Sequence, residues 1–66
     1  MQFQVDNLSC QHCVRAVTEA IKARDAQATV AVDLASKQVA VNSALPADQV
    51  IAVLVDEGYP ARLLNS

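Results

Sequence analysis

Apolar residues in this chain recur at every second position, then at every third or fourth, then at every second again, and the cycle runs twice. Alternation puts one residue in two on a common face and reads as a half-buried strand; spacings of three and four share a helical face. Phe3 and Val5 alternate with Gln2 and Gln4, a first strand. Asp6-Asn7-Leu8-Ser9 follows as a loop, with turn-forming residues around one apolar anchor. From about Cys10 to Arg24 the period is helical, and Cys13, Val17, Ala20, Ile21 and Arg24 share a face. Arg15, Glu19 and Lys22 point outward as a solvated face, with Glu19 and Lys22 a weakly supportive pair. Ser9 is the expected N-cap, and His12 three residues later leaves no capping box.

Asp25-Ala26-Gln27 ends this helix without Gly or Pro. Thr29 to Leu34 reads as a second strand, with Val30, Val32 and Leu34 on one face, and Val39-Ala40-Val41 as a third. The short polar connection between them makes a hairpin of residues 29–41. Pro46 suits the first turn of a second helix and Asp48 the positive end of its dipole. Ala47, Val50, Ile51, Leu54 and Val55 form its apolar stripe. Gly58 stands where a left-handed C-terminal residue is expected, and Tyr59 to Leu64 is a last strand. Pro60 lacks a donor, which assigns that strand to an edge or starts it later. The order strand, helix, strand, strand, helix, strand predicts an α+β ferredoxin-like βαββαβ sandwich: a four-stranded antiparallel sheet with two helices on one face. Val17, Val32 and Leu54 are expected in its core.

Sixty-six residues, 53% of them hydrophobic, suffice for one small core, so residues 1–66 are read as one domain. That size leaves no room for a multi-site enzyme with a large pocket. Lys plus Arg number 5 against 7 Asp plus Glu, so the basic excess of a general nucleic-acid binder is absent. The longest aliphatic run, Val50 to Val55, is far too short to span a membrane. The start at Met1 lacks the basic and apolar regions of a signal peptide, which predicts a cytoplasmic protein with reduced thiols.

The chemistry lies in Cys10-Gln11-His12-Cys13. Two cysteines three apart at a helix start can aim both sulfurs at one point, and the helix dipole lowers thiol pKa values there. Thiolates are soft ligands and select ions such as Cu(I) and Zn(II). Two sulfurs cannot close the four-ligand shell of structural zinc, and His12 is the only histidine. A low-coordinate ion, Cu(I), suits the pair as Cys10 and Cys13 ligands, and an open site leaves room for an incoming thiolate. Two other readings of the pair stand beside this one: a redox dithiol, and thiols without function, with Cys13 as core. His12 at the helix start points away from where the sulfurs converge and is read as solvent-facing, with at most a transient or bridging contact to metal.

Several segments resemble a known family. Asn7-Leu8-Ser9-Cys10-Gln11-His12-Cys13 resembles the Gly-Met-Thr/Ser-Cys-x-x-Cys signature of heavy-metal-associated domains, which include bacterial copper chaperones and the N-terminal modules of copper-exporting P-type ATPases. Val14, Val17 and Glu19-Ala20-Ile21 resemble the family's first helix, Val30-Ala31-Val32-Asp33-Leu34 its second strand, and Asp56-Glu57-Gly58-Tyr59-Pro60-Ala61 its closing segment. Asn7 stands where the family has Gly, Leu8 where it has Met, and Ala26-Gln27 where it has Gly-Val. The resemblance implies that Leu8 packs under the metal loop and that Tyr59 lies close to it, shielding the sulfurs without ligating. Ser9 beside Cys10 belongs to the same surroundings.

The reading is therefore a cytosolic, non-enzymatic copper chaperone that binds Cu(I) through Cys10 and Cys13. It would deliver the ion to a CxxC domain of a copper-transporting P-type ATPase through a shared three-sulfur intermediate, and a Cu-bridged homodimer is a further possible assembly. The rivals are an excised ATPase domain, a zinc-, cadmium- or mercury-binding relative, and, in another class, a small dithiol oxidoreductase. The start at Met1 and the stop at Ser66 without a linker favour the free protein, the missing signal peptide disfavours the mercury relative, and Asp6 near the pair keeps zinc open.

Overall fold

The computed structural model describes residues 1–65. Its elements are β1 (Gln2–Gln4), α1 (Gln11–Arg24), β2 (Thr29–Asp33), β3 (Gln38–Asn42), α2 (Ala47–Asp56) and β4 (Arg62–Asn65). The four strands form one sheet in the order β2-β3-β1-β4 with every neighbouring pair antiparallel. This is the ferredoxin-like α+β arrangement expected from the periodicities. β1 pairs on both sides, Phe3 opposing Val39 and Leu63, so the short first strand is central. β4, which follows Pro60, is an edge.

One cluster of buried residues joins both helices to one face of the sheet. Phe3, Val39 and Val41 come from the strands, Val5 from the residue just after β1, Val17 and Ile21 from α1, and Val50, Val53 and Leu54 from α2. The alternation along the strands puts Gln2 outward and Phe3 inward, which is why the period-2 segments end up half covered. Leu8 is fully buried in the same cluster and anchors the loop between β1 and α1 to the core.

Several expectations are corrected. Cys10, not Ser9, is the N-cap of α1, in extended backbone and without a side-chain cap bond. Its carbonyl accepts the first helical bonds, from Cys13 N (3.1 Å) and Val14 N (3.3 Å), while the Ser9 hydroxyl turns to a sulfur. Arg24 is exposed at the end of the α1 stripe, and the outward ion pair is Arg15–Glu19 (3.9 Å) rather than Glu19–Lys22. Pro46 is the N-cap of α2 and not its first residue, its carbonyl accepting from Gln49 N and Val50 N. The buried stripe of α2 contains Val53, and Val55 is 52% exposed. Val32 is half-buried because β2 is an edge strand, whereas Val17 and Leu54 are fully buried. Tyr59 precedes the last strand: Gly58, at φ +87, closes α2 with Gly58 N bonded to Val55 O (2.9 Å) and Tyr59 N to Leu54 O (2.8 Å), the paired bonds of a Schellman cap. Among the described residues no helix is long and apolar enough to cross a membrane.

Candidate metal centre

The loop from Asp6 to Cys10 rises from the central strand and is held at its middle by buried Leu8, whose N–H donates to Val5 O (3.2 Å). Its end becomes the start of α1. Cys10 therefore sits at the cap, exposed, and Cys13 one turn later, half-buried against the core. The two Sγ atoms lie 3.5 Å apart. That separation lets both sulfurs face one ion with only small adjustments.

Hydrogen-bond donors converge on Cys13. The Tyr59 hydroxyl is the largest influence drawing the thiol down from 9.0 to about 6. The Ser9 backbone N–H and the Cys10 thiol act in the same direction, as does the Ser9 hydroxyl at 3.9 Å, against a smaller opposing effect of burial. Each stabilises the thiolate by bonding to the charged form. Tyr59 responds in the opposite sense: its phenol is pushed up first by its interaction with the Cys13 sulfur, then by burial, and less by its other neighbours. At neutral pH the site thus presents a thiolate and a neutral phenol beside it.

His12 is exposed on the outer side of α1, where it lines a shallow depression with Gln11, Val14, Arg15, Thr18, Glu19 and Lys22. Asp6 is engaged elsewhere, accepting from Gln4 Nε2 (3.0 Å) and lying 3.9 Å from Arg62. Among the described residues no group of three His, Cys, Asp or Glu side chains gathers to hold an ion. The pair is thus an exposed, soft, two-sulfur site with open coordination, which suits an ion content with few ligands and an incoming thiolate better than a closed tetrahedral shell.

Two contacts of this region have no counterpart in the sequence reading. The Asn7 side-chain amide donates to the Gly58 carbonyl (3.3 Å), and Asp6 meets Arg62, so the loop is joined to the segment that carries Tyr59. Both pairs are more than fifty residues apart, and no local pattern links them.

The Heavy-metal-associated domain profile matches residues 2–60. A trimeric copper form of the copper chaperone Atx1 from Synechocystis PCC6803, carrying a histidine-to-tyrosine substitution, is 42% identical, with a TM-score of 0.92 over 94% of this chain and 98% of that one. Another copper form of that chaperone is 40% identical over the same shares, with a TM-score of 0.91. A gold binding protein is 40% identical over 94% of this chain and 95% of its own, also with a TM-score of 0.91. No curated protein matches the chain significantly.

Proposed function

The chain belongs to the heavy-metal-associated domain family, and from that premise we propose that it is a copper chaperone holding one Cu(I) between Cys10 and Cys13. The observation that carries this reading is the thiol pair, 3.5 Å apart, Cys10 exposed and Cys13 half-buried, with no group of three candidate ligands among the described residues. Cu(I) is soft and accepts low coordination, so two thiolates satisfy it. Cys13, with its thiol near 6, is already ionised at neutral pH and releases little proton on binding.

Delivery follows from the open shell. A thiolate of a CxxC domain in a copper-transporting P-type ATPase adds to the ion, giving a three-sulfur intermediate; one Cu–S bond to Cys10 or Cys13 then breaks, and a second partner thiolate completes the exchange. Copper stays Cu(I) throughout, and no bond in a substrate is made or cut. The same open shell would accept thiols from a second copy, which is the chemistry of a Cu-bridged homodimer. A reducing compartment such as the cytosol keeps such a pair as thiols, and the reading places the protein there. Asp6, the acidic residue near the pair, is bonded to Gln4 and lies 3.9 Å from Arg62, and the choice between copper and zinc is left to titration.

Anaerobic titration with Cu(I) and with Zn(II), each against a chelator of known affinity, tests the reading. One Cu(I) per chain with strong preference over zinc is expected, and Cys10→Ser and Cys13→Ser are each expected to abolish tight binding while leaving the circular dichroism spectrum intact. Wild-type affinity in either variant would overturn it.

A further inference from the structure

The Gly58–Tyr59 peptide unit is held from both sides. Its N–H, that of Tyr59, donates to Leu54 O (2.8 Å) in the cap of α2, and its C=O, that of Gly58, accepts from Asn7 Nδ2 (3.3 Å). A peptide is planar, so fixing both of its polar ends fixes the point from which the Tyr59 side chain departs. The first bond ties the unit to the core through α2; the second ties it to the metal loop. Farther along, Arg62 and Asp6 join the same two segments again.

Asn7 has no conformational reason to be there. Among the described residues the one non-glycine with positive φ is Lys37, so the loop passes through Asn7 in ordinary backbone. A glycine at this position, the residue of the family signature, would carry no amide to reach Gly58. The side chain is exposed and its described hydrogen bond is to the Gly58 carbonyl.

We propose that Asn7 is a positioning residue for Tyr59: its amide pins the metal loop to the Gly58–Tyr59 unit, seats the ring beside Cys13, and so slows the approach of external thiols to the thiol pair. The consequence for copper exchange rests on the copper-carrier reading; the seating of the ring does not.

Tyr59 is the only tyrosine and the chain has no tryptophan, so tyrosine fluorescence reports this one ring in the metal-free protein. Asn7→Ala removes the amide at an exposed position and leaves the core untouched. Acrylamide quenching of Tyr59 is expected to rise in this variant, by roughly two- to tenfold in the fraction of unseated ring, the range that one hydrogen bond supplies. Cu(I) transfer to a small-molecule chelator is expected to accelerate by a similar factor, and the acceleration to vanish when Asn7→Ala is made in a Tyr59→Ala background. Unchanged quenching would overturn the proposal, as would acceleration that persists without the ring. If the wild-type chain binds no Cu(I), the copper reading fails, and the quenching comparison alone still decides whether Asn7 seats Tyr59.

Discussion

Cys13 shows how little of a site's chemistry resides in its ligands alone. The CxxC spacing identifies both sulfurs, but the ionisation of Cys13 depends on a hydroxyl from position 59 and on an N–H and hydroxyl from Ser9, residues whose convergence no local pattern displays. Ser9 reads in sequence as a helix cap because it precedes the periodic segment; in the fold Cys10 takes the cap and Ser9 serves the sulfur. In the metal-free protein the alkylation rate of Cys13 with iodoacetamide, followed by mass spectrometry of the digest, is expected to rise with a midpoint near pH 6. Tyr59→Phe removes the largest cause and is expected to move that midpoint upward; an unmoved midpoint would show that the phenol does not bond to the thiolate. The effect on stability has a definite sign. The folded pKa lies below the ordinary 9.0, so the stabilisation is complete above about pH 9 and is lost as pH falls toward 6. His12, on the outer side of α1, is a contrasting case. His12→Ala is expected to change Cu(I) affinity by less than ~1 kcal/mol, the scale of an exposed contact; an imidazole nitrogen in the copper X-ray absorption spectrum of the monomer would contradict it.

The elements differ in how legible they are. α1 and the hairpin follow from their periods because polar residues or alanines separate most of their larger apolar ones. α2 does not: Val50-Ile51-Ala52-Val53-Leu54-Val55 is apolar without a break, and several stripes are compatible with it. The choice is made by packing against α1 and the sheet, which buries Val53 and Leu54 and leaves Val55 out. Leu54→Ala is therefore expected to cost about 2–5 kcal/mol in denaturant unfolding. Val55→Ala is expected to stay within about 0.5 kcal/mol, as for an exposed site. Equal costs would mean that α2 is rotated from the orientation described. Gly58 is legible for a different reason. The end of an apolar stripe followed by glycine predicts a left-handed cap, and φ is +87. A Cβ there would meet nothing within 4 Å, so Gly58→Ala suffers conformational strain alone, about 1–2 kcal/mol.

At the scale of the molecule, the two ends of α1 carry separate duties. α1 is fourteen residues long, roughly 20 Å at 1.5 Å per residue, with the thiol pair at its start and Asp25 just past its end. There Asp25 gathers the crossover between β3 and α2: one carboxylate oxygen accepts from Ser43 Oγ (2.7 Å) and Ala44 N (3.2 Å), the other from Gln27 N (3.1 Å). In sequence Asp25 and Ser43 are ordinary loop residues, and the strand order that brings them together is a property of the closed sheet. These bonds, Ser43 first, hold the Asp25 carboxyl below its ordinary 3.8. The stabilisation it gives is present above that value and is lost as pH falls through the lower folded value. Asp25→Ala is thus expected to lower the melting temperature at pH 7, and the gap to wild type to shrink on acidification below 3.8. Cu(I), bound at the other end, stabilises by mass action on the folded state. Sites this far apart with no shared partners contribute additively. Metal-saturated Asp25→Ala is therefore expected to gain the same stabilisation from copper as the wild type, measured as the shift in unfolding free energy at matched free Cu(I). A smaller gain in the variant would mean that the clamp at the far end helps to shape the thiol pair, and that α1 transmits between its ends instead of separating them.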